Sequence, residues 1–174
     1  MTTAAPTVDC LAMGNLPYLL AGLGAALAVG LAGIGGAVGT VKASSVLRQA
    51  VGPPFLVGFI ATLMAGVVSI YGLVVAVLIK GNVAQAILHQ DNHEGAACGQ
   101  FQRQAMLNLC GGLSVGLCCL AAGCAIGCIA KKWLGERSAE AKEGGLGRFM
   151  LILFLVHAIA LYGLIVGVLF IPGH

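Results

Sequence analysis

Four stretches of the chain are almost entirely apolar, and each is long enough to cross a lipid bilayer as a helix. A bilayer core of roughly 30 Å requires about 20 helical residues. The four stretches cover residues 16–41, 53–79, 101–129 and 149–170. They do not alternate apolar and polar residues as the strands of a membrane barrel do. The sequence therefore predicts an all-α integral membrane protein with four spanning helices.

The composition excludes the other broad classes of protein. Hydrophobic residues make up 59% of the chain and charged residues only 9%, against about 25% charged residues in an ordinary soluble domain. A soluble domain of 174 residues could not bury so much apolar surface, and disorder requires low hydrophobicity with high charge. The net charge of +3 comes from loops and forms no basic stripe interleaved with aromatic residues. We therefore expect no nucleic-acid partner.

The distribution of basic residues predicts the orientation in the membrane. The segment between the second and third spans carries, with its flanks, only Lys80 and Arg103. Because cytoplasmic loops are enriched in Lys and Arg, we predict that the first and third loops are cytosolic. Both termini and the loop 81–100 are then lumenal or exterior. The basic residues of the first and third loops and their flanks are Lys42, Arg48, Lys131, Lys132, Arg137, Lys142 and Arg148.

The two halves of the chain resemble each other. The sequence Leu27-Ala-Val-Gly-Leu31 recurs 86 residues later as Leu113-Ser-Val-Gly-Leu117. The segment 70–79, Ile-Tyr-Gly-Leu-Val-Val-Ala-Val-Leu-Ile, recurs 91 residues later over 161–170 as Leu-Tyr-Gly-Leu-Ile-Val-Gly-Val-Leu-Phe. Each repeat is a hairpin of two spans, so both insert in the same orientation and the pseudo-axis lies along the membrane normal.

This duplication sets the predicted domain organisation. An N-terminal tail without Lys or Arg precedes the first hairpin; a signal peptide would begin with basic residues, so we expect the first span to be retained. A lumenal loop separates the two hairpins. The tail covers residues 1–15, the first hairpin 16–80, the loop 81–100 and the second hairpin 101–174.

The first helix of each repeat is crowded with small residues. Gly22, Ala26 and Gly30 are spaced by four residues, a spacing that lets helix backbones approach closely in lipid. Such residues occur on several faces, which indicates contacts on more than one side, as in helices that line the inside of a ring. The second and fourth spans are bulkier, as expected of an outer layer facing lipid. The glycines predicted to pack in such a ring are Gly30, Gly36, Gly116, Gly123 and Gly127.

Cysteine and histidine offer candidate metal ligands, and in each case we favour another role. Five of the seven cysteines lie in the third span, where we interpret them as small packing residues and not as a metal cluster. A disulfide between Cys10 and Cys98, outside the spans and on one side, is left open. His89 and His93 lie four residues apart in the lumenal loop, where an exposed, solvated pair is favoured over a metal pair. We therefore predict neither a metal nor a cofactor.

The duplicated hairpin, the glycine-rich inner helices and the repeated Tyr-Gly-Leu sequence resemble the 16 kDa proteolipid family of the vacuolar-type (V-type) proton ATPase. The resemblance covers residues 17–170 and is most specific at 66–75 and 158–166. It implies a rotor ring in the membrane, turned by ATP hydrolysis elsewhere in the complex, that carries protons past a membrane stator. The stator, the central stalk, other proteolipids and lipid are the implied partners. It also implies vacuolar or lysosome-like membranes. The motif residues are Gly66, Tyr71, Gly72, Tyr162 and Gly163.

One position departs from what the resemblance implies. It implies a proton-carrying Glu five residues before the second motif Tyr, but that position is His157. The matching position in the first repeat is Gly66, as the resemblance implies. The acidic residues all lie in termini or loops, and no predicted span contains one. They are Asp9, Asp91, Glu94, Glu136, Glu140 and Glu143.

The substitution reverses the charge of the loaded carrier. A protonated Glu is neutral, whereas a protonated His is a cation, which burial disfavours. Moving that cation through hydrocarbon costs at least about 2.5 kcal/mol, and a stator Arg would repel it. Neutral imidazole could instead simply accept or donate a hydrogen bond with Ser69 or Thr62 of the second span.

Three functional interpretations follow. In the favoured one, the chain is a subunit of a mixed ring that also contains Glu-bearing copies, and its own site is silent or weakly active. In the second, His157 is itself the proton carrier. In the third, the chain is a structural or pore-forming proteolipid outside the pump. No phosphate-binding Gly-x-x-x-x-Gly-Lys-Ser/Thr sequence occurs, so we expect the chain not to hydrolyse ATP.

Overall fold

The protein consists of four long helices joined by short connections. The structure is a computed structural model that describes residues 15–49, 53–90, 97–137 and 145–171. Helix α1 is Leu16–Gln49 and helix α2 is Pro53–Gln90. Helix α3 is Ala97–Arg137 and helix α4 is Gly145–Phe170. Every described residue except Asn15 and Ile171 is helical, which confirms the predicted all-α fold.

Each helix contains a segment long and apolar enough to cross a membrane. These segments are Leu16–Ser45, Gly58–Gln85, Gln100–Trp133 and Gly147–Phe170. The helices of the first three spans continue into more polar sequence, so residues 81–90 and 97–100 of the predicted loop are helical. No proline interrupts residues 55–90 or 97–137, and a polar residue outside the bilayer does not end a helix. The fold is that of a multi-pass membrane protein.

Helices α1 and α3 form the inner pair and pack closely in parallel. A Cβ placed on Gly35 would lie 2.6 Å from Leu120 Cα, and one on Gly39 would lie 2.6 Å from the Gly123 carbonyl oxygen. A Cβ on Gly112 would collide with the backbone of Gly24. The contacts advance in the same direction along both helices, so the two hairpins point the same way. Glycine is required here because any side chain would push the two backbones apart.

Helices α2 and α4 form an outer layer on this pair. Most of the exposed large apolar side chains belong to them, including Leu151, Leu155 and Leu169 of α4, the last 80% exposed. In contrast, α3 has only three such side chains among its described residues: Met106, Leu113 and Leu117. Apolar exposure of this extent is typical of a lipid-facing surface, and it agrees with the predicted outer layer.

The packing within the two hairpins repeats the sequence duplication. In the first hairpin, the glycine of the Tyr-Gly motif, Gly72, lies against Ala28 and Ala32 of α1. In the second, Gly163 lies against Ser114 and Cys118 of α3, which are the positions 86 residues further on. The offsets of 86 residues between the first helices and 91 between the second helices therefore describe equivalent places in space.

The described basic residues gather mainly at one end of the bundle. Lys42 of α1 lies beside Cys128 of α3, with its ammonium nitrogen 3.4 Å from the sulfur. Nearby along the chain, Trp133 stacks at a tilt on Phe149, with ring centroids 5.2 Å apart. Tyr18 and Phe101 make a similar contact near the other end, at 4.9 Å. Aromatic residues thus lie near both ends of the spans, as membrane–water interfaces favour.

Candidate functional site: an imidazole and a phenol between the outer helices

The site is a contact between His157 of α4 and Tyr71 of α2. The Tyr71 hydroxyl lies 2.7 Å from His157 Nε2, within hydrogen-bonding distance. The two rings are tilted by 57° with centroids 5.5 Å apart. Both side chains are half-buried, and both lie inside the segments that can span a membrane. The contact joins the second hairpin to the first and uses a residue from each.

The second ring nitrogen of His157 constrains its chemistry. Nδ1 is buried and has no hydrogen-bond partner among the described residues. A neutral imidazole has one N–H, and its bond to Tyr71 is made in either tautomer: the phenol donates to Nε2, or Nε2–H donates to the phenol oxygen. An imidazolium has two N–H groups, so its Nδ1–H would be an unpaired buried donor beside a buried charge. The site therefore favours the neutral ring.

The alternative of a hydrogen bond from His157 to Ser69 or Thr62 is not what the structure shows, although the observed partner, Tyr71, lies on the same helix as those two residues. The Ser69 hydroxyl bonds to the carbonyl oxygen of Ala32 on α1, at 3.4 Å. The Thr62 hydroxyl bonds to the carbonyl oxygen of Gly58 one turn earlier, at 2.8 Å. Both hydroxyls therefore donate hydrogen bonds to backbone carbonyl oxygens, as is common for Ser and Thr within helices. The imidazole of His157 is hydrogen-bonded to the Tyr71 phenol instead.

Each of these two residues has a counterpart in the opposite repeat, and neither counterpart is closely packed by the described chain. No other part of the described chain lies within 4 Å of a Cβ placed on Gly66, the counterpart of His157. Tyr162, the counterpart of Tyr71, is 67% exposed. Within the described chain, Tyr71 and His157 are therefore in contact, whereas their counterparts Tyr162 and Gly66 are not in contact with each other.

The five glycines predicted to pack in a ring divide into two groups. Four contact another helix of the same chain: a Cβ on Gly36 would meet Ala65 and Ser69 of α2, and those on Gly116, Gly123 and Gly127 would meet α1. Gly30 is exposed and has open space around it. Packing against a neighbouring chain therefore stays a prediction, and only Gly30 of the five is free for it in the described chain.

Asn108 is a buried polar residue that the sequence analysis missed. It is 1% exposed, and its Oδ1 has no partner among the described residues. Its backbone lies where α3 meets Gly24 of α1. The sequence feature that could have identified it is a single amide side chain within an apolar span, because polar groups at such depth are costly unless they are paired.

The part of the chain that the structure describes includes only some of the candidate metal ligands. No group of three His, Cys, Asp or Glu residues there is arranged to hold a metal ion. Cys119 is buried and Cys118 half-buried, with Cys118 against Gly163, so both pack between helices. Cys10 and His93 lie outside the described residues, and Cys98 and His89 lie on helices whose side chains are not described there.

Comparison with known proteins places the chain among proton-pump subunits. Residues 109–170 match the family model for the ATP synthase C subunit. The chain is 35% identical over 150 residues to a V-type proton ATPase 16 kDa proteolipid of Caenorhabditis elegans, covering 84% of this chain and 86% of that protein. Its identity to the V-type proton ATPase 16 kDa proteolipid of Rattus norvegicus is also 35%, covering 84% and 87%.

A third relative is longer than this chain. The V-type proton ATPase proteolipid subunit of Dictyostelium discoideum is 37% identical over 139 residues, which is 78% of this chain and 64% of that protein. Four apolar helices, duplicated as two parallel hairpins, agree with these similarities. The chain belongs to the family of V-type proton ATPase proteolipid subunits.

Proposed function

We propose that the chain is a subunit of the membrane rotor ring of a V-type proton-translocating ATPase, and that its own proton site is silent. The ring in this proposal also contains Glu-bearing proteolipids. The observation that carries the proposal is the state of His157: it bonds to the Tyr71 phenol through Nε2, while its buried Nδ1 has no partner among the described residues.

Silence follows from the charge that each carrier bears when loaded. A carboxyl group is neutral when it holds the proton and can pass through lipid in that form. An imidazole that takes the proton becomes a cation, which costs at least about 2.5 kcal/mol in hydrocarbon, and Nδ1–H would have no acceptor among the residues that the structure describes. None of the four spanning segments contains an Asp or Glu to offset that charge.

The same proposal specifies the partners of the chain, the membrane in which it lies and its orientation there. The chain meets other proteolipids in the ring, the membrane stator across the lipid-facing layer, and the central stalk at its cytosolic end. We place it in acidic endomembrane compartments of the vacuolar or lysosome-like kind, with both termini lumenal. ATP hydrolysis resides in other subunits, and this chain takes part in rotary proton transport as a passive element of the ring.

Replacing the imidazole with a carboxyl group tests the proposal. In the intact complex, His157→Glu should preserve or raise the number of protons pumped per ATP, because it supplies a carrier that is neutral when loaded. Carbodiimide, which reacts with buried protonated carboxyl groups, should label His157→Glu in its fourth span and leave the wild-type spans unlabelled. His157→Gln is the matched control, since it removes the imidazole and adds no acid. Loss of pumping in both variants would show that His157 is itself the carrier.

Isolation of the chain tests the alternative outside the pump. The proposed subunit should co-purify with the other components of a rotary ATPase from its native membrane. A chain that is recovered only apart from such a complex would instead be a separate structural or pore-forming proteolipid.

A further inference from the structure

The inner helices bring an amine and a thiol together near one end of the bundle. The Lys42 ammonium nitrogen of α1 lies 3.4 Å from the sulfur of Cys128 on α3, and a thiol sulfur is a weak hydrogen-bond acceptor. The two residues are 86 positions apart and therefore occupy equivalent places in the two repeats. Because α1 and α3 pack in parallel, equivalent places lie side by side. The contact thus joins the first hairpin to the second.

The lysine side chain is held in place by a glycine. A Cβ placed on Gly127 would lie 2.9 Å from the Lys42 Cβ and 3.2 Å from its Cδ, so the aliphatic stem of the lysine lies across the glycine backbone. Lys42 is half-buried, whereas Cys128 is exposed and lies close to the end of its spanning segment at Trp133. Long basic side chains commonly cover apolar surface while the charged group stays near water. The packing therefore holds the amine beside a thiol near the membrane–water interface.

The two helices that carry this pair have no carboxylate close to it along the chain. No Asp or Glu occurs in residues 10–90 or 95–135. The first acidic residue after the pair is Glu136, which lies about 12 Å further along the axis of α3 than Cys128. The contact that the structure shows for the lysine ammonium is instead with a sulfur that can be oxidised. The pair therefore combines a nucleophilic nitrogen with an accessible, redox-active atom.

We propose that Lys42 and Cys128 form a reversible covalent link between the two hairpins, a sulfenamide made when hydrogen peroxide oxidises the thiol. In the first step the thiol sulfur attacks a peroxide oxygen and the O–O bond breaks. Cys128 becomes a sulfenic acid, and the peroxide is reduced to water. In the second step the lysine ammonium releases a proton to water, and its nitrogen attacks the oxidised sulfur. The S–N bond forms and the S–O bond breaks, with the oxygen leaving as a second water molecule.

The geometry favours this product, and the product changes the molecule. Sulfenic acids condense with a nearby nitrogen to give a sulfenamide, and two groups held in contact react faster than the same groups free in solution. The close glycine contacts of α1 with α3 are non-covalent, whereas the link makes the connection covalent. A cross-link between residues far apart in sequence restricts the unfolded chain and so stabilises the folded one. The pair thus couples the stability of the inner helices to the supply of peroxide.

Peptide mapping of the oxidised protein tests the link. The full chain in lipid vesicles is treated with hydrogen peroxide and then digested with trypsin, which cuts after an unmodified lysine. We expect loss of cleavage after Lys42 and recovery of a cross-linked peptide pair that contains Lys42 and Cys128. By the balance of atoms, this pair should be lighter than the sum of its unmodified peptides by the mass of two hydrogen atoms. Dithiothreitol should separate the two peptides and restore cleavage after Lys42.

Matched variants identify both atoms of the link. Lys42→Arg keeps the positive charge, but a guanidinium stays protonated and cannot attack the sulfur, so the link should be lost. Trypsin also cuts after arginine, so cleavage at position 42 should then survive oxidation. Cys128→Ser should likewise lose the link. Cys124→Ser is the control, since Cys124 is half-buried one turn earlier on α3, and this variant should form the link as the wild type does.

Other products of the same oxidation would overturn the inference. These are a disulfide of Cys128 with Cys124, a sulfinic acid at Cys128 with cleavage after Lys42 intact, a link from Cys128 to Lys131 or Lys132 instead, and an unmodified Cys128. A link that survives dithiothreitol would also contradict a sulfenamide. None of these measurements involves proton transport, so a failure here leaves the proposed silent site untouched. A pumping result against the silent site equally leaves this link untouched.

Discussion

At the scale of single residues, the chemistry of the site depends on which atoms of His157 are paired. Nε2 has the Tyr71 hydroxyl at 2.7 Å, and Nδ1 is buried without a partner among the described residues. One hydrogen bond is enough for a neutral ring, whereas an imidazolium would require two acceptors. The pairing pattern and the cost of a cation in hydrocarbon favour the same neutral state.

The Tyr71→Phe variant measures the strength of this contact. Removing the phenol leaves both imidazole nitrogens unpaired in a half-buried place, so we expect a loss of about 1–3 kcal/mol in the free energy of unfolding in detergent. Tyr162→Phe is the control in the dispersed single chain, because the Tyr162 side chain is 67% exposed and should change stability by less than about 0.5 kcal/mol. Equal losses in the two variants would contradict the assignment.

The sequence located the members of this site but not their contact. His157 was identified because it is an ionisable residue deep in an apolar span, and Tyr71 because it belongs to the repeated motif. Their pairing depends on how α2 and α4 are rotated toward each other, which a residue pattern within one helix does not encode. The exposure of Tyr162 and the open space at Gly66 could likewise not be predicted from the sequence, since both depend on how the helices pack.

At the scale of the elements, the close approach of α1 and α3 depends on glycine. The spacing of small residues in the sequence correctly predicted close helix packing, because helix backbones can approach each other where the side chains are small or absent. It could not indicate which helix each glycine meets, and Gly36 faces α2 while Gly123 faces α1. Hydropathy predicted four spans, but it placed the second helix end near residue 79 where α2 continues to Gln90. Hydropathy records the edge of the bilayer and not the end of the hydrogen-bonded helix.

Alanine substitutions distinguish the two kinds of glycine. At Gly123 a Cβ would collide with the backbone of Gly35, so Gly123→Ala should lower the free energy of unfolding by about 1–3 kcal/mol. At Gly30 there is open space, so Gly30→Ala should leave stability unchanged or raise it by up to about 1 kcal/mol through helix propensity. Denaturant titration of helicity in detergent measures both. Equal effects would contradict the close backbone contact of α1 with α3 at Gly123.

At the scale of the whole molecule, the duplicated hairpins and the charge distribution agree on one orientation. Parallel packing of α1 and α3 brings Lys42 beside Cys128, near the exposed Lys131. Lys80 lies toward the opposite ends of the spans. Since positive residues stay on the cytoplasmic side, the end that carries Lys42 and Lys131 is the cytosolic one in the proposed topology.

Thiol labelling tests this topology. In sealed vesicles with the cytosolic face outward, a membrane-impermeant maleimide should modify the Lys131→Cys variant directly. The Lys80→Cys variant should react only after the vesicles are permeabilised. Both positions are exposed in the described chain, so accessibility within the protein is matched. The wild-type chain gives the background from native cysteines, and the reverse order of labelling would contradict the orientation.

The protonation state of His157 in the assembled, working rotor is the most direct measure of the central claim. With His89, His93 and His174 replaced by Gln, nitrogen NMR of ¹⁵N-histidine-labelled protein in lipid reports on this imidazole alone. We expect the two unequal ring-nitrogen signals of a neutral imidazole, at neutral pH, with an acidic lumen and during ATP-driven rotation. Conversion to the imidazolium spectrum during turnover, in a ring that pumps without any Glu-bearing copy, would contradict it.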